Sequence, residues 1–300
     1  MLQWLKHSEI DKRKWDNCLK NATFQNVYAQ SWYLDAASPQ WEAIVGLSNE
    51  NDYWAVMPLP SKQFLFWKKV YMPFFMQQLG IFAVPNAKIV WKDWLQILQK
   101  KYFSVQLQTH YQDLNLPHFN TFQINQRRTY HLALHQDYVN LYQSYRRDRK
   151  KDLKRANSLH IQEATDLLPL IQLFQQEKKH VIFKSEHQKS LLRLYDACSM
   201  QKKALLLYAY HEGELVAGAF FVIFQKTITY LFAVSTQKGR QCGGATALLD
   251  TVIQRYAGKP YLLDFEGGNI TSLGDYFSSF GADTVIFPVL QFKTCQILRT

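Results

Sequence analysis

The chain has 300 residues, 47% of them hydrophobic, and 35 Lys and Arg against 24 Asp and Glu, a formal net charge of +11. This composition excludes global disorder and suffices for two cores of ordinary domain size, while no apolar run approaches the ~20 residues that a membrane helix needs. The basic excess implies an anionic partner without choosing among a nucleic acid, an anionic lipid surface and a phosphorylated metabolite.

The chain opens MLQWLKHSEIDKRKW, with charges early and no apolar core before a small-residue cleavage site. A cytoplasmic protein without a signal peptide is therefore expected. Cys18, Cys198, Cys242 and Cys295 stand far apart, so neither a disulfide framework nor a metal site is expected. Residues 41–47 and 53–59 read as adjacent strands about the polar turn 48–52. The segment 69–82 (KVYMPFFMQQLGIF) follows, then a helix over 86–101 and strands near 102–109 and 120–134.

Helical spacing over 145–156 aligns Tyr142, Tyr145, Arg149, Leu153 and Ala156 on one stripe, with Arg147, Lys151 and Lys154 on a neighbouring one. Arg149 is thereby directed inward, where it needs a carboxylate or a ligand phosphate. These four basic residues are the expected contacts for an anionic substrate. The plainer alternative is a solvated face with Asp148 and Asp152 as local partners.

Residues 166–178 and 187–201 have amphipathic helical spacing. Strands at 204–210 and 215–224 about the turn 211–214, with a third at 227–234, form a meander. A glycine-rich turn, a helix over 245–256, a strand over 260–265, a short helix stopped by Gly281 and a strand over 284–290 complete the order. Consecutive hairpins in place of crossover units predict a mixed α/β sheet with helices on its faces rather than a Rossmann sheet. All eight tryptophans lie between Trp4 and Trp94, and nine of twelve glycines lie from Gly218 onward. That shift marks two packing units, 1–135 and 136–300.

Three motifs carry chemistry. Arg240-Gln241-Cys242-Gly243-Gly244-Ala245 follows a strand and opens a helix, so backbone N–H groups converge where Gly243 and Gly244 leave room for an anion, most naturally a phosphate. It is neither a P-loop nor a dinucleotide fingerprint, and a tight loop with a glycine needed only for its turn is the alternative. Asp264 and Glu266 alternate at a strand end, which puts both carboxylates on one face and Phe265 on the other, able to orient an amine, accept its proton or pair with the basic helix. Cys242 lies where a helix N-terminus would favour thiolate, but no histidine accompanies it. Ser278 and Ser279 lack the setting of a nucleophile elbow.

In order, Tyr28-Ala29-Gln30-Ser31-Trp32, the basic helix 145–156, Gly213-Glu214-Leu215-Val216-Ala217-Gly218-Ala219-Phe220, Asp264-Phe265-Glu266-Gly267 and Phe280-Gly281-Ala282 resemble the FemAB-like branch of the GNAT superfamily, including its BioF2-like domains, over most of the chain. The resemblance implies tandem GNAT-like domains with the active cleft chiefly in the second. It implies an acyl-CoA pyrophosphate held through Q/R-x-x-G-x-G/A, which Arg240, Gly243 and Ala245 fit, with Gly244 between them. FemAB transferases instead use aminoacyl-tRNA to build the peptide bridges of cell-wall precursors, but the long charged helical hairpin of some members is absent here. The expected reaction is acyl transfer from acyl-CoA to an amine of an anionic acceptor. A strand N–H between Phe232 and Val234 would polarise the thioester, Tyr230 would contact the leaving group, and Asp264 or Glu266 would take the proton. The alternatives are aminoacyl-tRNA-dependent transfer to a peptidoglycan precursor, with peripheral contact at the inner face of the membrane, and noncatalytic binding of a phosphorylated ligand or RNA. No zinc finger, helix-turn-helix or RNP-like segment points to DNA.

Overall fold

The computed structural model describes all residues except Leu114, Asn115, Pro117, His180 and 295–300, so Cys295 lies outside the described residues. The chain divides into two compact units, one of Met1–Arg127 with the segment from Ile286 onward, the other of Arg128–Val285.

The first unit begins with β1 (Leu2–Leu5), α1 (Lys12–Asn21) and α2 (Ser31–Ala37), followed by β2 (Glu42–Leu47), β3 (Tyr53–Leu59), β4 (Ser61–Phe64), β5 (Trp67–Val70), β6 (Phe82–Ala83), α3 (Trp91–Lys101) and β7 (Ser104–Gln108). Strands β1, β2, β3 and β6 form an antiparallel sheet in that order, while β4 and β5 form a hairpin whose second strand runs parallel to β7. The elements before residue 41 were not anticipated, although their signals are local. Asp11 caps α1 by accepting from the N–H groups of Arg13 and Lys14. Trp15 and Leu19, one turn apart, are both fully buried, and the Trp15 indole N–H donates to the Ala29 carbonyl at 2.9 Å. The expected helix over 86–101 begins only at Trp91: Asn86 has φ 67, and Val90, extended, is the N-cap.

This unit also buries His110 near Asp113, Nε2 to Oδ2 3.4 Å. Burial pushes the His110 imidazole down to about 4 and the Asp113 carboxyl up to about 8. Ordinary values are ~6.5 and ~3.9, so between those two the folded and unfolded pairs each hold one proton. From pH ~6.5 to ~8 the unfolded pair holds none while the folded pair keeps its proton on Asp113, so stability falls as pH rises, by about 2 kcal/mol. Urea unfolding across this window should show the fall, and Asp113→Asn should abolish it.

β8 (Gln123–Ala133) carries the chain into the second unit, which continues with α4 (Tyr138–Ser144), α5 (Arg147–Arg155), β9 (His160–Ala164), α6 (Leu168–Glu177), α7 (Ser185–Met200), β10 (Ala204–His211), β11 (Glu214–Phe224), β12 (Thr227–Ser235), α8 (Gln237–Gln241), α9 (Gly244–Tyr256), β13 (Leu262–Asp264) and α10 (Thr271–Ser278). Its strands lie in the order β8-β13-β12-β11-β10-β9; β12 and β13 are parallel and the other pairs antiparallel. The expected meander is present, its first turn made by Glu212 and Gly213 at φ 52 and 79, as a two-residue hairpin requires. Leu205, Leu207, Phe221 and Ile228 from the meander meet Leu249 and Ile253 of α9, with Phe265 and Phe280, in one core. The final strand, β14 (Asp283–Lys293), leaves this unit at Val285, and its residues Val289–Lys293 pair antiparallel with β7 in the first unit.

The helix expected over 145–156 is broken at its start. Tyr145 and Arg146 are extended between α4 and α5. The hydroxyls of Tyr138 and Tyr145 both donate to buried Asp250 on α9, at 3.0 Å, and the Arg146 N–H donates to the Ser279 carbonyl at 2.8 Å. These tertiary bonds override a helical pattern that runs unbroken in the sequence.

Candidate active site

Strands β12 and β13 pair only over Thr227↔Leu262, Ile228↔Leu263 and Thr229↔Asp264. β13 ends there and β12 continues to Ser235, so the two part and a pocket of about 600 Å³ opens between them. Tyr230 to Ser235 line one side, Phe265, Glu266 and Gly267 the other, and Tyr276 and Phe277 of α10 lie beside them. A bulge lies at the pocket's inner end: Phe220 faces Phe232 and Phe221 faces Tyr230, leaving Leu231 without an opposite residue on β11. Such a bulge bends its strand and re-aims the side chains around it.

At the other end the pocket reaches the start of α9. The Thr236 hydroxyl accepts from the Gly239 N–H at 2.9 Å and so caps α8. A Cβ on Gly239 would overlap the Val216 carbonyl, which holds α8 against β11. Gly243, at φ 77, is the N-cap of α9 and provides no side-chain cap. The first N–H groups of the helix, at Gly244, Ala245 and Thr246, thus start from the pocket wall, where the helix dipole favours an anion. Arg149, Arg155, Lys178 and Arg240 line the same region.

Asp152 on α5 pairs with two of these cations, Arg149 and Arg155. One carboxylate oxygen lies 2.6 Å from Arg149 Nη1 and accepts from the Thr246 hydroxyl at 3.1 Å, while the other pairs with Arg155. Arg149 also donates to Thr246 Oγ1 at 3.0 Å and lies over the Tyr276 ring, 4.6 Å from its centroid. Its buried Nε has no hydrogen-bond partner. The backbone of α5 approaches so closely that a Cβ on Gly243 would overlap the Asp152 carbonyl oxygen.

Most of the residues expected from the sequence share this pocket: Tyr230, Phe232, Val234, Arg240, Gly243, Gly244, Ala245, Arg149 and Glu266 all line it. Burial pushes the Tyr230 phenol upward, so it stays protonated. Arg240 is turned partly aside, donating to the Ser235 carbonyl at 2.7 Å and lying 3.5 Å from Glu177. Arg147, Lys151 and Lys154 are exposed and do not line the pocket. Nor does Cys242, which ends α8.

Asp264 is not on a common face with Glu266. Glu266 has φ 54, which rotates the chain and breaks the alternation. Asp264 instead accepts from Thr129 Oγ1 at 2.5 Å and from the Glu266 N–H at 3.0 Å, and lies 3.5 Å from His131. Burial pushes its carboxyl up, but the His131 charge and these hydrogen bonds outweigh it and hold the group below the usual carboxylate range. Asp152, Arg155, Thr246 and Lys178 were not singled out from the sequence as site residues. Among the described residues no cluster of His, Cys, Asp and Glu is placed to hold a metal ion.

Residues 140–276 match the acetyltransferase (GNAT) domain. No curated protein matches the chain. Among solved structures the fold is similar to FemX, with a TM-score of 0.66 at 11% identity over 95% of this chain and 96% of that one. It is similar to a conserved protein of unknown function from Bacteroides thetaiotaomicron VPI-5482, with a TM-score of 0.60 at 11% identity over 98% of this chain and 100% of that one. A tandem GNAT protein from the clavulanic acid biosynthesis pathway gives a TM-score of 0.53 at 9% identity over 97% of this chain and 98% of that one. At these identities the likeness is one of fold. The match over residues 140–276, which lies within the second unit, supports acyltransferase activity.

Proposed function

We propose that the protein is an N-acyltransferase of FemAB-like, tandem GNAT-like architecture that takes its acyl group from acyl-CoA and passes it to an amine on an anionic acceptor. The observation that carries this reading is the parted β12/β13 pair, whose pocket leads from the Leu231 bulge to the uncapped start of α9. The donor's diphosphate would rest at Gly244 to Thr246 among Arg149, Arg155, Lys178 and Arg240, and its pantetheine arm would lie along the unpaired edge of β12.

The amine nitrogen would attack the thioester carbonyl carbon, forming the C–N bond as the C–S bond breaks. A backbone N–H between Phe232 and Val234 would hold the carbonyl oxygen as it gains charge. Glu266, which lines the pocket, would accept the proton the amine loses, and the CoA thiolate would take the proton of the Tyr230 hydroxyl, which the proton held by Glu266 would replace through solvent. Asp264 takes no step, because it is committed to Thr129 and His131.

Calorimetric titration of the purified chain with acetyl-CoA, with Ala245→Glu as control, tests the donor. Glutamate in the first turn suits a helix N-terminus but sets a negative charge where the phosphates would lie. The expected result is binding that weakens at least ~10-fold in the variant; a folded chain that binds neither CoA nor acetyl-CoA sinks the reading.

Asp152 favours a second reading. Its carboxylate already places a negative charge among the cations at the start of α9, so a donor other than CoA, such as aminoacyl-tRNA, would use the basic mouth without seating a diphosphate there. Transfer of a labelled aminoacyl group from charged tRNA, with no response to acetyl-CoA, is the outcome that selects it. Binding without turnover of either donor would identify a noncatalytic receptor.

A further inference from the structure

From Tyr53 to Lys92 the sequence contains no Asp or Glu, but it carries Lys62, Lys68, Lys69, Lys88 and Lys92. Within this stretch the β4–β5 hairpin closes at Phe64↔Trp67, so Leu65 and Phe66 form its tip. Two-residue turns with a positive φ ordinarily use Asn or Gly. Here Leu65 takes φ 51, and Leu65, Phe66 and Trp67 are 71%, 95% and 41% exposed. Neither the turn nor a core gains from three adjacent large apolar side chains held in water.

Exposed cations dominate the surroundings, while Lys68 on the hairpin pairs with the buried Glu42. Lys62 and Lys69 lie directly opposite each other in the hairpin and both are exposed, a pairing that costs stability. Trp67 packs on Phe103, ring centroids 4.4 Å apart, just beyond the exposed Lys100 and Lys101 that end α3. Lys101 and Lys68 both lie over the Trp4 ring, at 4.3 and 5.0 Å.

We infer that this hairpin tip docks on an anionic lipid bilayer, with Leu65, Phe66 and Trp67 entering the interface and Lys62, Lys69, Lys100 and Lys101 facing the lipid phosphates. The pattern is an apolar point ringed by cations, with an indole at the boundary where amphipathic rings settle. Lysines at that depth are drawn to an acidic surface, and the attraction is screened by salt. An acidic protein groove would satisfy the lysines but would not call for a projecting aromatic tip. The contact proposed is a peripheral one; among the described residues no helix is long and apolar enough to cross a membrane.

The test is cosedimentation of the full chain with vesicles of phosphatidylcholine alone or mixed with phosphatidylglycerol. The main variant is Leu65→Asn with Phe66→Gly, which puts at 65 a residue that tolerates its positive φ and so keeps the hairpin while removing its apolar point; Lys62→Gln with Lys69→Gln removes charge instead. The expected result is binding to the acidic vesicles alone, at least ~10-fold weaker in the Asn-Gly variant, with the salt-sensitive part reduced in the glutamine variant. Equal binding of the unmodified chain and the Asn-Gly variant, or no binding by either, overturns the inference. So does a lipid-free dimer that the Asn-Gly variant abolishes, which would assign the tip to a second copy of the chain.

Discussion

Replacing Gly243 with alanine is expected to lower the unfolding free energy by about 3 kcal/mol, whereas Ala245→Glu, two residues on, should change it by less than about 0.5 kcal/mol. The contrast follows from two independent constraints at Gly243. Its φ of 77 lies in the left-handed region, and the direction a Cβ would take is filled by the Asp152 carbonyl. Alanine must therefore either strain the turn or push α5 away from α9. Ala245 is already inside the helix and faces the pocket, so a longer side chain has open space. Urea midpoints for the two variants measure the difference. Equal midpoints would overturn both constraints, because the left-handed φ alone should cost alanine about 1 kcal/mol even if α5 yields. A glutamate at Gly243 would confuse repulsion of a ligand with collapse of its seat, which makes Ala245 the better control.

Arg149→Ala should destabilise the fold by about 3 kcal/mol and weaken donor binding more than ten-fold, to about 100-fold. The stability loss arises from Asp152, 8% exposed, which would keep only the more exposed Arg155 as a cationic partner. The double change Arg149→Met with Asp152→Asn should therefore be less damaging than Arg149→Ala alone, because it removes the stranded charge with its partner. Arg149→Lys should keep much of the stability but not the affinity. A lysine cannot contact Asp152 and Thr246 together while lying flat on Tyr276, as the guanidinium does. If the double variant is as unstable as Arg149→Ala, the Asp152 carboxylate does not depend on Arg149.

What could be read from the sequence was local and periodic. Apolar runs about the polar turn 211–214 marked the strands of the meander, and Arg240 to Ala245 revealed a strand-turn-helix passage. Inward placement of Arg149 followed from its stripe with Tyr145 and Leu153. Where distant atoms decide the outcome, the periodic reading fails. Tyr145 leaves the helix because Asp250 and Ser279 offer partners more than a hundred positions away. Asp264 and Glu266 alternate on paper, but a positive φ at Glu266 separates them. Asp152 looked like a solvated partner for its basic neighbours, and nothing in its own segment indicates that Gly243 and Thr246 close over it. The Leu231 bulge likewise depends on a register with β11 that no single strand encodes.

The return of β14 to the first unit bears on how the protein is made. Residues 128–285 leave the ribosome before the part of β14 that pairs with β7, so the second unit can complete its own fold while β7 still lacks the antiparallel partner supplied by Val289–Lys293. Until then the growing chain carries a strand edge rich in unsatisfied N–H and C=O groups, flanked by Val105 and Leu107, the kind of edge that recruits strands from other molecules. Slow translation of the stretch that encodes β14 would prolong that exposure, and occupancy of the nascent chain by a chaperone should be greatest after the second unit has folded and before the rest of β14 emerges.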